Sequence, residues 1–155
     1  MQRNYWFIAF GIVWTIIFAG ISFYWAMGGL HGVRSLGGVI YEMSLNPSPS
    51  FVIIVWLTGF IKLLGVVLLL MLLVNWKKPI ISRILYYVVK IVGALLFLYG
   101  FLNFFTITLS LFNILNFDLD TFATFWRLIF WEPFWMIGGI FYYFSIKSNK
   151  SLFNN

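Results

Sequence analysis

Four stretches of the chain are apolar for twenty or more residues, and this feature limits the possible folds more than any other. A helix of about 20 apolar residues crosses the hydrocarbon core of a bilayer, which is about 30 Å thick. Only 9% of the residues are charged and 63% are hydrophobic, more apolar surface than a water-soluble fold of this length can bury. We therefore predict an all-α, integral membrane four-helix bundle that forms a single transmembrane domain over residues 1–155. The predicted helices cover roughly residues 5–27, 51–76, 84–110 and 121–146.

Basic residues are distributed unevenly among the connections between these segments. Arg34 is the one basic residue of the first connection, and the third connection has none. Because lysine and arginine favour the cytoplasmic side of a membrane, we predict that both termini are cytoplasmic. The glycine-rich loop 28–50 between the first two helices is then extracytoplasmic. Six basic residues lie on the predicted inner side: Arg3, Lys77, Lys78, Arg83, Lys147 and Lys150.

The loop 28–50 is too apolar for a fully solvated connection. Its stretch "VIYEM" predicts a short interfacial helix or a re-entrant piece, and Ser50 is a candidate N-cap for the second membrane helix. We expect the loop to pack over the outer end of the bundle, with Leu36, Val39, Ile40, Tyr41 and Met43 as its apolar contacts.

Residues 22–32 read "SFYWAMGGLHG". This run resembles the end of the first helix in a family of uncharacterised small bacterial four-helix integral membrane proteins, which carries Tyr-Trp-Ala-x-Gly-Gly there. The resemblance implies the four-helix fold and a location in the bacterial cytoplasmic membrane, and it implies no activity. A histidine is frequent in that family where this chain has Ser22, so a role of that histidine does not transfer.

Several kinds of chemistry are excluded by residue counts. The chain has no cysteine and one histidine, His31, so thiolate, disulfide, multi-histidine metal and bis-histidine haem sites cannot form within it. We predict no metal, no cofactor and no catalytic residue. The formal net charge is +6, but the cations lie at membrane boundaries rather than on one folded face. Nucleic acid is therefore not an expected partner.

The first predicted helix carries small residues at spacings of three or four. Such a stripe lets helices approach closely in lipid, so it predicts a packing face. A ligand groove lined by Thr15 and Ser22 is the alternative. The stripe consists of Gly11, Thr15, Ala19, Ser22 and Ala26.

Four charged residues lie inside the predicted membrane segments. A charge at the centre of a membrane helix costs about 2.5–3.5 kcal/mol on insertion scales, so it normally faces a partner or water. Lys90 is close enough to the inner boundary to act as an anchor. Lys62 and Glu132 lie at similar depth on two helices that run in the same direction, and we predict that they form a buried ion pair. We expect Arg127 to reach outward, to Asp118, Asp120, Glu42 or lipid phosphate.

These residues suggest a polar cleft that opens outward. Lys62 and Glu132 form its floor, and His31, Arg34 and Glu42 lie at its outer mouth. The other predicted ligand-binding or ion-pair residues are Arg127, Thr58, Asn103, Trp131 and Trp135, with the two tryptophans as walls.

Two hypotheses for function have equal weight, and a third is weaker. The first is binding or transport of a small molecule, lipid headgroup or ion through the cleft. The second is an accessory subunit whose intramembrane charges hold the bundle or a partner helix. An enzyme with Glu132 as acid–base is weaker, because one glutamate supplies neither a nucleophile nor a metal site. The expected partners are the bilayer, a small-molecule or lipid ligand, and a second copy of the chain or a partner membrane protein.

Overall fold

A computed structural model describes residues 2–112, 114–115 and 119–147 of the chain, and the described residues are mainly helical. From Thr121 the chain continues as helix through three consecutive pieces to Phe144. The elements in chain order are β1 (Gln2–Arg3), α1 (Tyr5–Ala26), a 3-10 helix (Val33–Leu36), α2 (Gly38–Leu45), α3 (Pro49–Met71), α4 (Pro79–Leu111), α5 (Thr121–Trp126), a π-helix (Arg127–Trp131), α6 (Glu132–Phe144) and β2 (Ile146–Lys147).

Three of these helices, α1, α3 and α4, are long and apolar enough to cross a membrane. This confirms the helical class, and the first three predicted segments correspond to helices whose length and composition suit a membrane span. The fourth predicted segment, 121–146, is divided among α5, the π-helix and α6, and its span remains a prediction. At 33 residues, α4 is about 50 Å long and exceeds the thickness of a hydrocarbon core.

The helices do not pack in the order of the sequence. α3 packs against α1, α1 packs against α6, and α6 packs extensively against α4. α3 and α4 follow each other in the chain but contact each other only slightly, because they lie on opposite flanks of the α1–α6 pair. The core is centred on α1, with Trp14 and Phe18 buried there, and the other helices add Leu69, Val89, Trp131 and Tyr142.

The small-residue stripe of α1 is a packing face, as predicted. All five of its residues are buried. Thr15 Oγ1 donates to the carbonyl of Gly11 at 2.6 Å and lies 2.9 Å from the hydroxyl of Tyr142 on α6. The stripe therefore joins α1 to α6 by a hydrogen bond as well as to α3 by close packing.

The first and last described residues meet at one end of the bundle. β1 pairs antiparallel with β2, with Gln2 opposite Lys147 and Arg3 opposite Ile146. The guanidinium of Arg3 donates to the carbonyls of Leu73 at 3.1 Å and Val74 at 2.7 Å, just beyond the end of α3. These carbonyls have lost their helical partners, so a cation is a favourable group for them. We refer to this region as the terminal end of the bundle.

The loop 28–50 packs on the bundle over only part of its length. Val33 and Ser35 in the 3-10 helix are buried, whereas Val39, Ile40 and Met43 in α2 are exposed. The predicted packing is therefore correct for the 3-10 helix and wrong for the exposed side of α2. The short helix predicted at "VIYEM" is α2. The N-cap of α3 is Ser48 rather than Ser50, with its Oγ accepting from the amide of Phe51 at 3.3 Å.

Candidate functional site

A π-helical turn immediately precedes Pro133 and forms the centre of the candidate site. Proline has no backbone N–H, so Pro133 cannot donate to the carbonyl four residues before it. The helix widens here, and the amide of Glu132 donates to the carbonyl of Arg127 five residues earlier. Such single π turns inside α-helices occur frequently at functional sites.

The widened turn brings the side chains of Arg127 and Glu132 together. Arg127 Nη2 lies 2.7 Å from Glu132 Oε1, and Arg127 Nε donates to the same oxygen at 2.8 Å. Arg127 Nη2 also donates to Asn103 Oδ1 on α4 at 3.4 Å. Asn103 is in turn held by its own Nδ2, which donates to the carbonyl of Tyr99 at 2.8 Å. The predicted site residues Arg127, Glu132 and Asn103 are thus one connected group.

The prediction that Arg127 reaches outward is wrong. On a regular α-helix, residues five apart point about 140° away from each other, and this geometry favours a different, outward partner for Arg127. The π turn places the two side chains within hydrogen-bonding distance instead. Asp118, one of the predicted partners, lies outside the described residues.

One oxygen of the Glu132 carboxylate has no hydrogen-bond partner in the part of the chain that the structure describes. Glu132 is 2% exposed, and its Oε2 is buried without a hydrogen bond among the described residues. The backbone around it is closely packed, because a Cβ atom on Gly100 of α4 would lie 2.7 Å from the carbonyl oxygen of Glu132. A buried acceptor without a donor costs about 1–3 kcal/mol, and more for a charged group. The site therefore has an unused acceptor.

Lys62 does not pair with Glu132, so the predicted ion pair is wrong. Lys62 Nζ donates to Ser22 Oγ on α1 at 2.5 Å and lies 3.8 Å from the centre of the Phe18 ring. The same ring contacts Trp135 of α6, at 4.6 Å between ring centres. Similar depth in the sequence is therefore insufficient to predict an ion pair. Phe18 of α1 packs against both Lys62 and α6, which carries Glu132.

Thr58, predicted to share a polar face with Lys62, is also not part of the site. Its side chain is exposed, and Thr58 Oγ1 donates to the carbonyl of Val55 in the same helix at 2.7 Å. The threonine therefore satisfies its hydroxyl locally, as threonines in helices often do.

The two predicted wall residues, Trp131 and Trp135, contact different elements of the bundle. Trp131 is buried, and its Nε1 donates to Ser35 Oγ of the 3-10 helix at 2.8 Å. Trp135 packs edge-on against Tyr99 of α4, with ring centres 4.8 Å apart. The Trp131–Ser35 hydrogen bond fastens the 3-10 helix to the bundle. Ser35 had no sequence signal beyond its place between Gly32 and Gly37.

A cavity of about 290 Å³, here called the outer cavity after the predicted orientation, lies between the 3-10 helix and Trp131. Of the three residues predicted at the outer mouth, only Arg34 lines it, and its guanidinium lies 5.0 Å from the centre of the Phe122 ring. His31 and Glu42 are exposed, and the His31 carbonyl accepts from Trp25 Nε1 at 2.9 Å. The lining residues are Gly32, Arg34, Ser35, Phe122, Trp126, Phe130 and Trp131.

The long apolar helices, together with an arginine–glutamate pair whose carboxylate is buried, indicate a small helical membrane protein with a polar site. A family model described as "Protein of unknown function (DUF3995)" matches residues 15–142. The chain therefore belongs to this family, and the match extends from the middle of α1 into α6. No curated protein and no solved structure matches the chain. The four-helix count and the bacterial location that the "SFYWAMGGLHG" run implies remain predictions.

Proposed function

We propose that this protein binds a small polar molecule or ion inside the membrane, with Glu132 as the acceptor. The observation that carries the proposal is the unpartnered Oε2 of a carboxylate that is 2% exposed. Ionisable residues within membrane segments usually mark ligand or ion sites. Arg127 already satisfies Oε1, so it fixes the carboxylate and leaves Oε2 for a ligand.

The ligand class follows from the chemistry of Oε2. An ionised carboxylate only accepts hydrogen bonds, so the molecule that fits must donate one, as an ammonium, an amine or a hydroxyl does. Since Arg127 and Glu132 together are neutral, a neutral or singly positive molecule is favoured over an anion.

We propose that the ligand arrives from the outer cavity. Trp131 lines that cavity and directly precedes Glu132 in the chain, and in this proposal its indole controls access to the carboxylate. Release of the Trp131–Ser35 hydrogen bond would free the ring to move. Transport through the site would need a second opening toward the terminal end, whereas simple binding needs only the outer one.

A search for the retained ligand tests this proposal. We expect native mass spectrometry of protein extracted into nanodiscs to detect a bound small molecule on the wild type. Glu132→Gln should retain at least tenfold less, because a hydrogen bond to a charged group contributes about 1.5–3 kcal/mol. Glu42→Gln removes an exposed acid and is the matched control, with retention unchanged. Full retention by Glu132→Gln, or no bound molecule on any of the three proteins, would contradict the proposal.

The accessory hypothesis has one observation of its own. Lys62 is a half-buried intramembrane ammonium that forms no ion pair with any described residue, and Ile61 and Leu64 beside it are exposed. A carboxylate on a partner helix would compensate this charge. A stoichiometric membrane partner that co-purifies with the wild type and is lost from Lys62→Met would favour this function over ligand binding.

We further propose that the terminal end of the bundle is cytoplasmic. Because the chain contains no cysteine, a labelled single-cysteine variant reports the side of the membrane on which the introduced residue lies. We expect Met43→Cys, in exposed α2, to react with an impermeant maleimide added to whole cells, and Lys78→Cys, at the terminal end, to react only after lysis. The opposite labelling pattern would reverse the orientation.

A further inference from the structure

A groove of about 400 Å³ runs between α4 and α6 on the surface of the bundle. It is distinct from the Glu132 site and lies nearer the terminal end, where α6 finishes. Its walls are apolar and include Ala94 and Phe97 on α4 and Ile140 on α6.

Glycines make the groove by allowing the two helices to meet at their backbones. A Cβ atom on Gly93 would lie 2.6 Å from the amide nitrogen of Tyr143, and one on Gly139 would lie 2.5 Å from that of Phe97. The helices are therefore as close as their backbones permit. The larger side chains on either side form the apolar walls of the groove.

Lys90 lies at one end of this groove. Its Nζ donates to the carbonyl of Tyr143 and lies 3.9 Å from the centre of the Tyr143 ring and 5.8 Å from that of Phe144. Both aromatic residues also line the groove. On α4, Gly93, Ala94 and Phe97 follow Lys90 at three, four and seven residues, so all four share one helix face. The ammonium lies beside the last turn of α6.

We infer that this groove binds an acyl chain of an anionic phospholipid whose phosphate contacts Lys90. An ammonium has three donors, and the Tyr143 carbonyl uses one of them, which leaves donors for a phosphate. The apolar groove extends away from the ammonium along α4 and α6, as the acyl chain of a lipid extends away from its headgroup. The exposed Lys77 and Lys78 at the same end would attract an anionic leaflet as a whole, without touching a lipid in the groove.

Charge complementarity favours a lipid over a second helix in this groove. A helix seated here would cover the Lys90 ammonium and would need its own acid at that position. None of the described acids is suitable for a second copy of this chain: Glu42 and Asp120 lie away from the terminal end, and Glu132 is buried against Arg127.

Lipid titration of the delipidated protein by native mass spectrometry tests the inference. We expect the first phosphatidylglycerol to bind about fivefold more tightly than phosphatidylcholine with the same chains, the factor expected for one basic side chain near an anionic surface. Lys90→Met should abolish this preference, and Lys90→Arg should keep it. Ala94→Trp, which fills the groove, should weaken the first binding of both lipids by at least tenfold.

Lys78→Met is the matched control, since it removes an exposed lysine at the same end without touching the groove. It should keep the lipid preference. Two results would overturn the inference. One is an unchanged preference in Lys90→Met with normal first-site binding in Ala94→Trp. The other is occupation of the groove by a second copy, detected as disulfide-linked dimers of Ile140→Cys. The near-ultraviolet circular dichroism of each variant verifies folding. If Lys90→Met does not fold, the separate variants Lys90→Arg and Ala94→Trp decide the question.

Discussion

Arg127→Met should lower the free energy of unfolding by about 3–5 kcal/mol, because it leaves the Glu132 carboxylate buried and uncompensated. Glu132→Gln should lower the free energy of unfolding by less. Arg127 is 18% exposed and Glu132 only 2%, so an arginine without its partner can turn toward water or headgroups. The double variant should recover most of the loss from Arg127→Met. Unfolding of the detergent-solubilised protein by titration with dodecyl sulfate measures all three.

Lys62→Met combined with Glu132→Gln is the matched comparison for this cycle. Because Lys62 bonds to Ser22 and not to Glu132, we expect the two effects to add within about 0.5 kcal/mol. Two results together would contradict the Arg127–Glu132 ion pair: coupling between the Lys62 and Glu132 substitutions, and additivity between the Arg127 and Glu132 substitutions. They would support the Lys62–Glu132 pair that similar depth predicts.

Gly139→Ala should destabilise the protein toward the upper end of about 1–3 kcal/mol. The added methyl would lie 2.5 Å from the amide nitrogen of Phe97 and 2.7 Å from the carbonyl oxygen of Gly93. These are backbone atoms that cannot rotate away, so α4 must move from α6. The same unfolding titration measures the effect.

Gly20→Ala provides the control for that substitution. Gly20 lies in α1, and a Cβ atom there would meet no atom within 4 Å. Alanine has the higher helix propensity, so Gly20→Ala should leave stability unchanged or raise it by up to about 1 kcal/mol. A loss of stability equal to that of Gly139→Ala would show that the α4–α6 contact is not the cause.

The sequence is sufficient to predict three long apolar helices, because long apolar runs have few alternatives, whereas the fourth predicted segment is divided and α3 ends at Met71, five residues before its predicted limit. α1 ends one residue before its predicted limit, at Ala26, and α4 extends past both of its predicted limits. The buried stripe on α1 was also predictable, since the spacing of small residues needs only helical periodicity. These are local properties of the chain.

The arrangement of the candidate site is not local, and the sequence did not reveal it. Pro133 indicated a disturbed helix, but the side on which Arg127 and Glu132 meet depends on a π turn that adds one residue to the hydrogen-bonded ring. The partner of Lys62 depends on which helices are neighbours, and helix order within the bundle cannot be read from hydrophobicity. Ser35, which fastens Trp131, was missed because a serine in a loop has no distinguishing pattern.

The order of the helices in the bundle also affects how the chain assembles during synthesis. α3 can pack on α1 as soon as both are made, because these neighbours are the first two long helices of the chain. The helix that supplies most of the packing of α4 is α6, which is synthesised after it. Until then, Gly93 and Gly100 present bare backbone to lipid. The nascent chain should consequently mature in two stages, an early α1–α3 hairpin and a late closure in which α6 enters between α1 and α4.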